Sequence, residues 1–217
     1  MKKILLLGAG GHAESCIDLL NEQNIFVLSG ICGKLKEKNK KILKKFSVTY
    51  TDNDLLKLSQ KFKYALIGVG QIYSHQNRSR LFKKLKSLGF KLPTIKSKYS
   101  IVSNYSIIGE GTVIMHGAII GPNVEIGNNC IINSNALIEH GSKIRDNVHI
   151  STSATINSGV RIGSGSFIGS RSVIKQETKI KNNTFIKMGS IIKNNLWKFK
   201  ISNWKKIIKK IKNLSNV

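Results

Sequence analysis

Isoleucine occupies every sixth position of the chain from Ile108 to Ile192, and Val102 extends the ladder one step back. Four residues after each rung up to Ile186 stands a small side chain, running from Thr112, Ala118, Val124, Cys130 and Ala136 to Thr184 and Ser190. Each hexad therefore offers one large and one small inward residue. An amphipathic helix repeats its apolar residues about every 3.6 positions and a half-buried strand every second one, so a fixed period of six fits neither. It predicts a β-solenoid in which three hexads close one triangular coil. About five coils fit between residues 102 and 192, and at roughly 4.8 Å per coil the prism would stand about 24 Å tall.

The first hundred residues lack this ladder and follow a different pattern. Residues 2–7 (Lys-Lys-Ile-Leu-Leu-Leu) read as a buried strand entering Gly8-Ala9-Gly10-Gly11-His12-Ala13. Ala13, Cys16, Ile17 and Leu20 then recur at the spacing of a helix packed on a sheet. A glycine turn between strand and helix lets backbone approach a ligand and aims the helix N-terminus at an anion. Further strands are predicted near 25–31, 64–69 and 91–95, with helices near 53–62 and 77–88, which makes a small α/β unit with a parallel sheet. It is too short for a full dinucleotide fold. The end of its second strand, Ser29-Gly-Ile-Cys-Gly33, carries no acid to hold a ribose, which argues against an NAD enzyme.

The hexads Ile108-Gly-Glu-Gly-Thr-Val, Ile126-Gly-Asn-Asn-Cys-Ile and Ile162-Gly-Ser-Gly-Ser-Phe resemble those of the hexapeptide acyltransferases, whose prism is a left-handed parallel β-helix. Combined with Gly8-Ala9-Gly10-Gly11-His12, they make the chain similar, over about residues 3 to 195, to bacterial sugar N- and O-acetyltransferases. That family includes enzymes acting on UDP-4-amino-sugars (the bacillosamine pathway), on perosamine-type sugars and on sialic acid. The expected organisation is a Rossmann-like sugar-nucleotide domain over residues 1–96, a left-handed β-helix over 97–195, and a C-terminal helix over 196–217. The resemblance implies acetyl-CoA as co-substrate, a nucleotide-sugar as acceptor and a homotrimer with the coenzyme in a groove between prisms.

Residue by residue, the resemblance places Gly10, Gly11 and His12 in the substrate-binding turn and adds Gly70 of Ile67-Gly-Val-Gly-Gln. Asn133-Ser-Asn-Ala-Leu-Ile-Glu-His140 resembles the active-site stretch, with His140 as general base. His149, Ser170, Met188 and Gly189 are the implied coenzyme contacts. Imidazole titrates near neutrality and suits the removal of a proton from an attacking amine or hydroxyl. The backbone of Ser158, one coil beyond His140, is the candidate oxyanion donor. Two positions depart from the family pattern. Cys32-Gly33 stands where an Asp pair is common, and Gly141 stands where an acid commonly follows the base. Glu139 precedes His140, and consecutive residues of an extended segment point to opposite sides, so Glu139 is not expected to replace that acid. His116, with nothing catalytic in its local string, reads as a loop histidine.

Composition adjusts this picture in three ways. The formal net charge of +25 suggests nucleic acid or an anionic membrane. The lysines are nevertheless spread out, without the Arg and aromatic interleaving of nucleic-acid readers, so no nucleic-acid partner is expected. Three cysteines at unrelated spacings support neither a disulfide framework nor a zinc site, no metal is expected, and the chain reads as soluble and cytoplasmic. In the tail, Trp197, Ile201, Trp204, Ile208 and Ile211 make an amphipathic basic helix. It is read as a cap on the open prism end, with membrane-surface docking as the alternative. The functional reading is N-acetylation of a nucleotide-linked amino sugar; the rivals are sugar O-acetylation and a non-catalytic solenoid scaffold.

Overall fold

The computed structural model describes residues 1–196. The tail helix expected beyond Leu196 lies outside the described residues.

The N-terminal unit is a four-stranded parallel sheet. Its strands are β1 (Lys2–Leu7), β2 (Phe26–Gly33), β5 (Tyr50–Thr51) and β6 (Tyr64–Ile67), in the order β5-β2-β1-β6. A short hairpin, β3 (Lys41–Ile42) with β4 (Phe46–Ser47), was not legible in the apolar pattern and lies between β2 and β5. Helices α1 (Gly11–Asn21), α2 (Leu55–Lys61) and α3 (Gln76–Ser87) cover the sheet. α1 buries Ala13, Cys16, Ile17 and Leu20, the stripe its spacing predicts. The strand expected near 91–95 divides in two: Lys91 makes one bridge to Tyr64, and Ile95–Lys96 already belongs to the prism.

The prism is made of two-residue parallel strands in three sheets, and each strand pairs with the one 18 residues later, as Ile114 with Ile132. The isoleucine ladder lies inside, with Ile114, Ile132, Ile138, Ile150, Ile156, Ile168 and Ile174 fully buried. The small rungs from Thr112 to Thr184 are buried beside it, and several with polar groups bond the next coil. Thr112 Oγ1 donates to Gly127 O (2.9 Å), Ser142 Oγ to Asn157 O (2.9 Å) and Ser166 Oγ to Lys181 O (2.9 Å). Toward the end of the prism Thr184 and Ser190 donate to Lys181 O and Lys187 O of their own coil (2.8 Å each), so a hydroxyl is tolerated on the ladder because a carbonyl lies within its reach. From Gly111 to Gly189, every sixth residue turns a corner with φ between 56° and 72°. That left-handed conformation favours glycine and asparagine, and those two residue types occupy most of these corners.

The three faces differ in what they present outward. On the first, Val113, Ile131, His149, Phe167 and Phe185 lie under or beside the N-terminal unit, and the first three are buried. On the second, Ile101, Ile119, Leu137, Thr155, Val173 and Ile191 form a stacked row, with Ile101 and Ile191 about two-thirds exposed. On the third, Glu125, Lys143, Arg161 and Lys179 follow Ile107. The faces are thus covered, bare and aliphatic, and charged.

Candidate active site

The seam between the N-terminal unit and the covered face is closed by polar contacts. Arg78, on α3 and fully buried, has no carboxylate partner among the described residues. It donates instead to four carbonyls: Ile67 O (2.6 Å) and Val69 O (2.9 Å) at the end of β6, and Gly111 O (3.1 Å) and Asn129 O (3.2 Å) in the prism. Burial pushes its pKa down to about 10, so it remains charged at neutral pH. Gln71 follows Gly70, donates through Nε2 to Asn147 O (2.6 Å), and accepts at its carbonyl from His149 Nδ1 (2.5 Å). Tyr73, Phe185 and Phe167 stack in sequence beyond it. Neither Arg78 nor Gln71 stood out in the sequence, because an interior arginine inside a lysine-rich helix looks like any other surface cation.

His149 is consequently a seam residue. Its ring is buried, and desolvation lowers its pKa to about 4. With Nδ1 donating to Gln71, only Nε2 is left, and it faces Asn133 Nδ2 at 3.5 Å toward the corner between the covered and aliphatic faces. Ser151 and Ser170 are hydrogen-bonded at that same corner (2.8 Å). Gly189 N–H donates to Ser170 O (2.8 Å), so Ser170 and Gly189 stand on successive coils along one edge, with Met188 exposed beside them.

The glycine turn lies against the same seam. Gly10 caps α1, and side chains added at Gly10 or Gly11 would meet nothing within 4 Å, so the mouth of the helix is open. Lys40 Nζ closes over the turn onto Ala9 O (2.7 Å). His12 packs against Gly70 and the Cys16 thiol. Burial, then the nearby charge of Arg78, lowers its pKa to about 3, which keeps it neutral. The structure thus brings His12, Gly70 and His149 together around Arg78.

His140 stands apart from this cluster. It occupies the corner between the aliphatic and charged faces, with its side chain 65% exposed. This corner is the one opposite the covered face that carries His149, so the two histidines do not meet within one copy. Coils on either side hold its backbone: His140 O accepts from Gly159 N–H (3.0 Å), and Gly141 N–H donates to Pro122 O (3.1 Å). Gly121 lies beneath, where any Cβ would come within 3.0 Å of the His140 nitrogen. Ser158 sits one coil on at this corner. Its carbonyl accepts from Glu177 N–H (2.9 Å), and its own N–H donates to no acceptor among the described residues.

His116 is not a simple loop histidine. Its Nε2 faces Asp18 (3.1 Å) and Glu22 (3.2 Å) of α1, and its Nδ1 meets Ser97 Oγ (2.9 Å), so it ties the N-terminal unit to the first coil of the prism. The Glu139 carboxylate lies 3.6 Å from His140 Nδ1, contrary to the expectation that the two side chains diverge.

Comparison with known proteins agrees with this architecture. Residues 3–85 match the model of the PglD N-terminal domain, and residues 105–140 and 141–176 match the bacterial transferase hexapeptide model. The chain is thus similar to transferases that join a PglD-type N-terminal domain to bacterial hexapeptide repeats. Its prism is accordingly a left-handed parallel β-helix behind a Rossmann-like domain. No curated protein matches the chain by sequence. Among solved structures, the acetyltransferase domain of PglB from Neisseria gonorrhoeae superposes with a TM-score of 0.82 at 25% identity, covering 90% of this chain and 93% of that one. The same domain in complex with acetyl coenzyme A gives 0.79 at 26% identity, covering 88% and 92%. PerB from Caulobacter crescentus, in complex with CoA and GDP-perosamine, has the same fold, with a TM-score of 0.83 at 22% identity over 90% and 91% of the two chains.

Proposed function

We propose that this protein transfers the acetyl group of acetyl-CoA to the amine of a nucleotide-linked amino sugar, with His140 as general base. The carrying observation is that His140 alone among the five histidines presents a largely exposed ring. His12 and His149 are packed in the seam, His75 is tied to Asn183, and His116 is engaged by two carboxylates. The likeness to the PglB domain with acetyl coenzyme A and to PerB with GDP-perosamine supports the choice of substrates.

In the proposed reaction the sugar amine attacks the thioester carbonyl carbon, and a C–N bond forms as His140 Nε2 takes the N–H proton. The tetrahedral oxyanion is met by the Ser158 N–H. The C–S bond then breaks, and the leaving thiolate recovers the proton from the imidazolium. Gly10, Gly11, His12 and Gly70 hold the sugar nucleotide at the open mouth of α1, where unpaired N–H groups suit its phosphates. Ser170, Met188, Gly189 and the Nε2 edge of His149 line the coenzyme.

The coenzyme residues and the His140–Ser158 pair flank the aliphatic face from opposite corners, which makes the site incomplete in one copy. The bare row from Ile101 to Ile191 supplies the remedy. If three copies pack these faces around a common axis, the coenzyme corner of one meets the His140 corner of the next, and the exposed isoleucines leave water. The active species is therefore a homotrimer. Its three cysteines are free and buried, which suits the cytoplasm. Among the described residues no helix is long and apolar enough to cross a membrane.

The test is thiol release from acetyl-CoA with a panel of UDP-, GDP- and dTDP-linked 4-amino-sugars. An amide product resists hydroxylamine, whereas the ester of O-acetylation does not. His140→Ala is expected to lower turnover by about 10²–10⁴-fold with coenzyme binding intact by calorimetry. Full activity in that variant overturns the mechanism.

A further inference from the structure

Gly141 deprives His140 of a carboxylate on its C-terminal side, and the fold supplies one from the N-terminal side. The strand Leu137–Ile138 ends before Glu139, so the strand rule that sends consecutive side chains to opposite sides does not govern the pair. Glu139 begins a corner that completes its turn at Gly141, with φ of +68°. Glu139 N–H donates to Ile156 O (2.8 Å) in the coil beyond, while Gly141 N–H is tied to Pro122 O in the coil before. Clamped from both sides, the corner brings Glu139 Oε2 to 3.6 Å from His140 Nδ1. Lys143, four residues on, does not compete, because it is paired with Glu125 at 2.6 Å.

We propose that Glu139 is the positioning residue of the reaction: its carboxylate faces Nδ1, turns Nε2 toward the amine, and steadies the imidazolium formed when Nε2 takes the proton. This rests on the reading of His140 as the base. At 3.6 Å the resting contact is longer than a hydrogen bond. It becomes a charge-assisted one only when the ring gains its proton, so its benefit appears during the reaction and falls on kcat more than on KM. The corner also permits a swap. A Cβ at Gly141 would meet nothing within 4 Å, and Asn135, Ser153 and Glu177 adopt nearly the same positive φ at equivalent corners.

The experiment uses the full chain with acetyl-CoA and the amino-sugar nucleotide of the panel above that gives the highest turnover. Glu139→Gln is expected to lower kcat about three- to fivefold with both KM values within about twofold, as for the loss of one partly exposed ion pair. Adding Gly141→Glu to Glu139→Gln is expected to restore part of the loss, and Glu139→Asp to retain more activity than Glu139→Gln. Full kcat in Glu139→Gln beside an inactive His140→Ala overturns the positioning role and leaves the base in place. A loss in which KM and melting temperature move together with kcat, without recovery from Gly141→Glu, also overturns it, because that is the signature of a structural residue. An active His140→Ala, or no turnover by the wild type with any panel member, removes the base and this role with it.

Discussion

Arg78→Met tests how much one buried cation contributes to holding the two units as one body. The substitution keeps an unbranched apolar stem of similar reach and removes every donor. It leaves Ile67 O, Val69 O, Gly111 O and Asn129 O facing a methyl group where each accepted a bond of 2.6–3.2 Å. Each orphaned carbonyl costs about 1 kcal/mol or more, so the gross loss is on the order of 4 kcal/mol. Against this stands the relief of burying a charge, whose unfavourable effect is visible in a pKa pushed down to about 10. The net is about 3 kcal/mol, which at roughly 2–4 °C per kcal/mol for a chain of this size lowers Tm by about 6–12 °C. Arg78→Lys keeps the charge but has one head for four carbonyls spread over two units, so about half the loss remains. Thermal melts followed by circular dichroism read both. Because two of the carbonyls belong to the N-terminal unit and two to the prism, urea unfolding of Arg78→Met is also expected to separate into two transitions. A Tm within about 2 °C of wild type, with one transition, would refute the reasoning.

Acid should destabilise the protein through its buried histidines. His149 and His12 have folded pKa values of about 4 and about 3 against 6.5 for the free side chain, so between pH 6.5 and 4 the unfolded chain takes up protons that the folded one refuses. Their contribution is complete above pH 6.5 and declines as pH falls toward 4, by up to about 1.4 kcal/mol per pH unit for each ring. A His12→Asn, His149→Asn double variant should show a shallower fall in urea midpoint over that range, and a slope equal to that of the wild type would rule this source out. The aliphatic face gives a separate test. Ile119→Lys with Val173→Lys places two charges in the middle of the row and should yield monomers by light scattering, inactive but folded; an unchanged trimer would move the interface elsewhere.

The prism was legible because it is nearly one-dimensional. Each coil contacts only its neighbours, so the environment of Ile138 repeats at Ile156 and Ile174, and a period in the sequence maps directly onto a position in the cross-section. The strand, glycine turn and helix of residues 2–21 were legible for a related reason, since their contacts are local. The hairpin at 41–47 has no apolar alternation to announce it, and the strand expected at 91–95 divides because Ile95 pairs with Val113 of the prism, a partner that no local pattern reveals. Arg78 was hidden for the same reason: what makes it an interior residue is four carbonyls up to 51 positions away in the chain.

The site divides along the same line. His140 was picked out by its motif, and the structure adds that its ring is exposed and faced by Glu139. What the sequence misplaced was direction. Glu139 and His140 were assigned the alternation of a strand, but a solenoid with two-residue strands consists mostly of corners, and at a corner the positive φ of the third residue overrides alternation. The corner residue type is thus the readable signal. With Gly at 141, between Asn135 and Asn147 at the flanking corners, the backbone must turn there and Glu139 lies at the start of the turn, not within the strand. Had position 141 been an acid, the same backbone would present it to the solvent side with room for its side chain, since a Cβ there meets nothing. The fold therefore has room for a carboxylate on either side of His140, and one at 141 would carry the strain of a positive φ that Glu177 accepts two coils on.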